Sequence, residues 1–183
     1  SDVCSSDLSV TWPGVPLVYS GQEQGNMKRI KFFDKDTIVP GKDAEAFTSF
    51  YRSLLQLKKS NPALLADSSA TLTMLQTTAP ESVLAYLRQK GNSSVLVVLN
   101  LSPISDLHFE INDPRLNGRF KNLYSGVPND FTQERAFEMQ AWDHLIYTNE
   151  YKTPRMRGVL WSIIYFIHSS DSGKVRSEEH TSE

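Results

Sequence analysis

Glu23 is the carboxylate best placed for chemistry. It follows the apolar run Val15-Pro16-Leu17-Val18-Tyr19 and sits inside Ser20-Gly21-Gln22-Glu23-Gln24-Gly25. An apolar run that ends in glycines reads as a buried strand entering a loop, with Pro16 near the strand's start because it lacks a ladder donor. A carboxylate just past the C-terminal end of a buried strand stands where barrel enzymes mount acid/base groups. The plainer and more frequent reason for such a residue is that it accepts hydrogen bonds from loop amides.

The other candidates are weaker. Asp34 and Asp36 bracket Lys35 in a polar stretch and read as solvated charges, and no calcium-loop pattern of alternating Asp ending in Gly is present. The four histidines have no metal-ligand spacing. His108 and His144 alternate with apolar residues and are expected on an exposed sheet face. Gly21 to Gly25 is not a phosphate loop, because no Gly-Lys-Ser/Thr follows, and Ser20 lacks the Gly-x-Ser-x-Gly frame of a nucleophile. Asn92-Ser93-Ser94 and Asn100-Leu101-Ser102 match the glycosylation pattern, but Asn100 falls in a run that reads as a buried strand. Trp12, Tyr19 and Phe32-Phe33 flank the Glu23 loop. Their faces could stack on sugar rings, although core packing is the commoner use of aromatics.

Composition narrows the classes. The chain has 183 residues, with 19 Lys+Arg against 21 Asp+Glu and a net charge of −2. That balance argues against a nucleic-acid partner held by a broad basic face. A single cysteine excludes an internal disulfide and a cysteine-based zinc site. The longest apolar run, 159–167, has nine residues with Ser162 inside it, well short of the roughly 20 needed to span a membrane. Compartment is not fixed by these features, with a periplasmic or secreted one favoured slightly over the cytoplasm.

Two element types must position the loop. Phe47, Phe50, Tyr51, Leu54 and Leu55 recur at helical spacing. Asp43 serves as N-cap, Lys58 and Lys59 suit the C-terminal dipole, and Asn61-Pro62 stops the helix. After about Asp67 the period becomes two. Val83–Gln89 and Ser94–Leu101 flank Lys90-Gly91-Asn92-Ser93 as a hairpin, and further alternation runs through 107–111, 137–141 and 144–148. Six or seven short strands without an intervening helix predict an antiparallel sandwich. Val95-Leu96-Val97-Val98-Leu99 is apolar on both faces and predicts a central strand lying between two layers.

The segment Thr11-Trp12-Pro13-Gly14-Val15-Pro16-Leu17-Val18-Tyr19-Ser20-Gly21-Gln22-Glu23 resembles the eighth barrel strand of the alpha-amylase family of glycoside hydrolases. The helix 43–59 with Asn61-Pro62-Ala63-Leu64 looks like the last barrel helix, and Tyr86-Leu87-Arg88 with Val95–Ser102 looks like the family's C-terminal Greek-key sandwich. The resemblance covers about residues 9–149. It implies an α+β fragment: the last strand and helix of a (β/α)8 barrel over 9–66, followed by an antiparallel sandwich over 67–149. The implied parent is a retaining glycosidase acting on alpha-glucan or maltooligosaccharide. Its catalytic carboxylates precede residue 9, so no catalytic residue is expected in this chain. Tyr19, Gly21, Gln22 and Glu23 are expected near substrate or bracing the loop. No cofactor or metal is expected here, and the family's calcium belongs to the parent. A non-catalytic carbohydrate-binding sandwich is the alternative reading, and an inactive amylase-like barrel is a third.

Both ends read as foreign. Residues 1–8 and 175–183 resemble translated sequencing-adapter DNA, and 150–183 as a whole reads as a tail outside the family. Removal of 1–8 or 152–183 is therefore expected to leave stability unchanged. The sandwich core is expected to include Leu72, Met74, Leu84, Tyr86, Val95, Val97, Leu99, Phe109 and Phe137. The 43–59 helix is expected to pack its Phe47/Phe50/Leu54 face on the strand 15–19.

Overall fold

A computed structural model of the chain describes residues 2–26, 28–31 and 33–149. The expectations for 150–183 lie outside the described residues. Helices α1 (Asp2–Thr11) and α2 (Ala44–Ser60) precede eight strands. These are β1 (Thr71–Met74), β2 (Val83–Lys90), β3 (Ser93–Asn100), β4 (Leu107–Glu110), β5 (Arg119–Asn122), β6 (Pro128–Asp130), β7 (Ala136–Met139) and β8 (His144–Asn149). A six-stranded antiparallel sheet has the order β1-β2-β3-β8-β5-β6, and β4 pairs with β7 in a second sheet. No helix interrupts the strands, as the alternation predicted.

The β2–β3 hairpin carries the register. Lys90 faces Ser93 across Gly91-Asn92, and Gly91 takes a φ of +56°, the conformation a two-residue hairpin turn asks of its first central residue. From there β3 is buried along all eight residues. Leu96 and Val98 point into the sandwich with Ala85, Leu87, Phe109, Phe137 and Tyr147. Val95, Val97 and Leu99 point the other way, onto Leu54, Leu57, Ala63 and Leu64. The predicted two-sided central strand is thus formed.

The third layer is the helical one. Tyr51, Leu54 and Leu57 of α2 are buried, while Phe47 and Phe50 are half-buried and Leu55 is exposed. Asp43 occupies the N-cap position without a side-chain capping bond, and Asn61 ends the helix by accepting from the Ala63 amide at 2.9 Å. The face of α2 therefore covers the sheet and not the run at 15–19. That run forms no strand: Val15, Leu17 and Tyr19 are 86%, 82% and 62% exposed. A strand buried in a parallel sheet needs neighbours on both edges. Among the described residues every sheet is built from position 71 onward. Two details of the expected core also change: Met74 is exposed on the edge strand β1, and Leu72 and Leu84 are only half-buried.

Residues 1–8 are not inert in this fold. Helix α1 buries Cys4, Ser6, Asp7, Val10 and Thr11. Ser6 Oγ lies 2.6 Å from the Tyr51 hydroxyl of α2, and Thr11 hydrogen bonds with the Tyr86 hydroxyl of β2. Arg88, buried on the same side, donates to the Thr11 carbonyl at 3.2 Å and the Leu65 carbonyl at 3.4 Å. A guanidinium at a helix C-terminus satisfies an orphan carbonyl and the negative end of the dipole together. Asp7 accepts from the Tyr124 hydroxyl at 2.9 Å, and its second oxygen lies 3.8 Å from His144 Nε2 with no hydrogen-bond partner. His144, expected on an exposed face, is enclosed by the rings of Phe50 and Tyr124.

Burial pushes the Asp7 carboxyl up to about 7, against the Tyr124 hydrogen bond that lowers it, and burial pulls the His144 imidazole down. A carboxyl raised on folding stabilises below its unfolded value near 3.8 and loses that contribution as pH climbs toward 7. His144, lowered on folding, does the opposite and loses its contribution as pH falls below about 6.5. Asp7→Asn should therefore gain stability over the parent chain between pH 4 and 7, at roughly 1.4 kcal/mol per unit at most. Urea unfolding at several pH values checks this, and a difference independent of pH would refute it. Deleting residues 1–11 should lower the melting temperature by several degrees, because Val95, Val97 and Tyr86 lose cover.

Candidate functional site

The loop from Tyr19 to Gly41 is held by its own backbone and by α2. Gly21, at a φ of +93°, opens a single 3-10 turn over Gln22–Gln24, and Gly25, at +62°, closes it. Both conformations favour glycine. The Asn26 amide returns to the Gly21 carbonyl at 2.9 Å. The Thr48 hydroxyl of α2 donates to the Glu23 carbonyl at 3.0 Å, and the Gly41 amide donates to the Gln24 carbonyl at 2.8 Å. Gly41 sits so close that a Cβ there would lie 2.4 Å from the Gly25 oxygen.

The four residues singled out from the sequence lie together in this turn. Glu23 Oε2 accepts the Gly21 amide at 3.0 Å, and Gln22 Oε1 accepts the Tyr19 amide at 3.2 Å. Tyr19 is exposed and lines an open groove of about 370 Å³ with Ser20, Gln22, Asn26, Lys28, Arg29 and Ile30. Glu23 does not line it. The groove is rimmed by Lys28 and Arg29.

Asp36 is more than a solvated charge. It accepts from Lys28 Nζ at 2.7 Å and from the amides of Thr37 at 2.8 Å and Lys31 at 3.1 Å. These bonds, the Lys28 one foremost, lower its carboxyl to about 2. Asp34 makes only an exposed ion pair with Lys31 at 3.7 Å. Of the aromatics, Trp12 packs edge-on to Tyr86, Phe33 is exposed, and Phe32 lies outside the described residues. His108 is exposed, as expected. Asn100 is fully buried with its amide hydrogen bonded. Among the described residues no three His, Cys, Asp or Glu side chains converge as a metal site, and no helix is long and apolar enough to cross a membrane.

No family model matches the chain. Alpha-amylase 2 of Dictyoglomus thermophilum is 21% identical over 123 residues, which is 61% of this chain and 20% of that protein. Alpha-amylase MalA of Haloarcula japonica is 34% identical over 92 residues, 49% of this chain and 13% of that protein. The chain thus spans a fifth or less of these curated relatives. Among solved structures, the noncanonic maltogenic alpha-amylase AmyB from Thermotoga neapolitana superposes with a TM-score of 0.63 at 23% identity, over 80% of this chain and 35% of that one. The expected resemblance to alpha-amylases is borne out in sequence and in fold. It is consistent with the C-terminal part of such a protein.

Gly41→Ala should force the loop off α2 while sparing the sheet. Relieving an overlap of this kind costs about 1–3 kcal/mol. Opening of the loop should become roughly 5- to 150-fold more frequent. Limited trypsin digestion at Lys28, Arg29 and Lys31 reads this rate, and unchanged cleavage would show that the close approach holds nothing.

Proposed function

We infer that the chain is the C-terminal part of an alpha-glucan-active retaining glycoside hydrolase, of alpha-amylase or alpha-glucosidase type, whose catalytic carboxylates lie outside it. The likeness to two alpha-amylases, in a chain that carries the Gly21-Gln22-Glu23 loop ahead of a sandwich, is the observation that carries this reading. A retaining glycosidase sets two carboxyl groups about 5–5.5 Å apart across the scissile bond. Among the described residues, the grooves beside Tyr19, beside Pro40 and Ala44, and beside Trp12 are lined by one carboxylate, Glu45.

In this reading the exposed run 15–19 is the last strand of a barrel whose other strands belong to the longer protein. The loop after it then faces the sugar. Tyr19 supplies an aromatic face and Gln22 a side-chain amide, while Glu23 braces the turn by accepting the Gly21 amide. A carboxylate used this way fixes the loop's shape and moves no proton. Calcium, where the longer enzyme uses it, would be held by residues outside this chain.

The purified chain should release no reducing sugar from starch or from a chromogenic maltooligosaccharide. In the longer enzyme, Glu23→Gln should cost less than the 10²–10⁴-fold typical of losing a general acid or base. Turnover by the purified chain that disappears in Glu23→Gln would make Glu23 catalytic and overturn the assignment.

A further inference from the structure

Two non-glycine residues among those described have positive φ, Asp106 at +53° and Trp142 at +60°, and both lie on adjoining loops at one end of the sandwich. Trp142 is the third residue of the turn Gln140–Asp143, closed by the Asp143 amide on the Gln140 carbonyl at 3.2 Å. Ala141 before it keeps negative φ, so the turn follows the pattern that normally places Gly or Asn third. A bulky side chain there is strained. The backbone holds it nonetheless: the Trp142 amide donates to the Ser102 carbonyl at 3.2 Å, and the Trp142 carbonyl accepts from Cys4 Sγ at 2.9 Å.

The neighbouring loop is fixed just as firmly. Buried Asn100 donates to the carbonyls of Ile104 at 2.9 Å and Gln140 at 2.8 Å, and it accepts from the Ser102 amide at 3.1 Å and hydroxyl at 2.7 Å. Above this clamp the surface is open. Trp142 is 41% exposed, Leu101 and Ile104 are exposed on the loop whose Ser102 carbonyl accepts the Trp142 amide, and Gln140 Nε2 donates to Asp106 Oδ1 at 2.7 Å in solvent. An indole held out by a strained turn, beside an exposed amide–carboxylate pair, has the composition of a sugar platform. The ring offers an apolar face, and the pair offers a donor and acceptors to hydroxyl groups.

We propose that Trp142, with Asp106 and Gln140, forms a glycan-binding platform on the sandwich, separate from the Tyr19 groove, that takes a run of an alpha-glucan chain. The choice of alpha-glucan rests on the function proposed above; the platform itself rests on the turn geometry. Its use would be to hold polymer near the longer enzyme without taking part in bond cleavage.

Native electrophoresis of the full 183-residue chain in gels containing amylopectin tests this. Amylopectin should retard the unaltered chain. Trp142→Gly and Trp142→Asn, both suited to positive φ, should weaken retardation roughly tenfold, as expected for losing one aromatic face contact. Hydroxyl-radical footprinting of the unaltered chain with maltoheptaose gives the same answer without substitution, through protection of Trp142. Retardation by amylopectin that survives both Trp142 changes overturns the platform and leaves the alpha-glucan reading standing. Trp142-dependent retardation by a β-glucan and not by amylopectin keeps the platform and overturns that reading. No retardation in either gel, with no protection of Trp142, overturns the platform.

Discussion

The two-sided burial of β3 is the constraint from which the rest of the architecture follows. Val95, Val97 and Leu99 on one face and Leu96 and Val98 on the other cannot both be covered by a two-layer sandwich. One face takes the small β4–β7 sheet and the Phe109, Phe131 and Phe137 ring cluster. The other needs a third layer, and α1, α2 and the Pro62–Leu64 turn supply it. The central strand thus dictates that residues before position 71 be folded onto the sheet.

That third layer meets the sheet through polar groups as well as apolar ones. Arg88 projects from β2 into it and is held by carbonyls of Thr11 and Leu65, at the ends of two helical segments, with a through-space contribution from Asp67. Asp7 enters from the opposite side and is kept near neutrality by burial beside Tyr124 and His144. Groups of this sort add little net stability but make misdocking costly, because a displaced helix leaves them unpaired. The same logic operates at Asn100, whose four hydrogen bonds lock the end loops of the sandwich.

Against this rigid frame the Tyr19–Gly41 loop is lightly tied, by Thr48, Gly41 and its own 3-10 turn. Its apolar approach run is open to solvent. Such a contrast suits the proposed reading, in which the loop would acquire its surroundings from a longer chain, while the sheet takes its cover from α1, α2 and the Pro62–Leu64 turn. Loops positioned by a scaffold commonly carry the contacts of function, while the scaffold carries stability.

Local pattern alone determined the strands β2 to β4, β7 and β8, the Gly91-Asn92 hairpin, α2 and its Asn61 stop, and the two-layer surroundings of β3. Each is written in side-chain periodicity or turn chemistry within a short window. The short strands β5 and β6 escaped that reading, because Arg119–Asn122 and Pro128–Asp130 have one apolar residue between them and are placed by pairing with β8 and with each other. The residues Tyr19 to Glu23 were legible as one loop, but whether Tyr19 or Glu23 faces the groove was not, since that depends on the turn that Gly21 and Gly25 impose. Helix α1 was illegible for a deeper reason. Its buried face carries Ser6, Asp7 and Thr11, which read as solvent-facing residues in any local pattern. They can be buried only because Tyr51, Tyr124 and Tyr86, between 45 and 117 positions away, supply the hydrogen bonds. Polar burial is decided by partners distant in sequence, and only the tertiary structure brings them together.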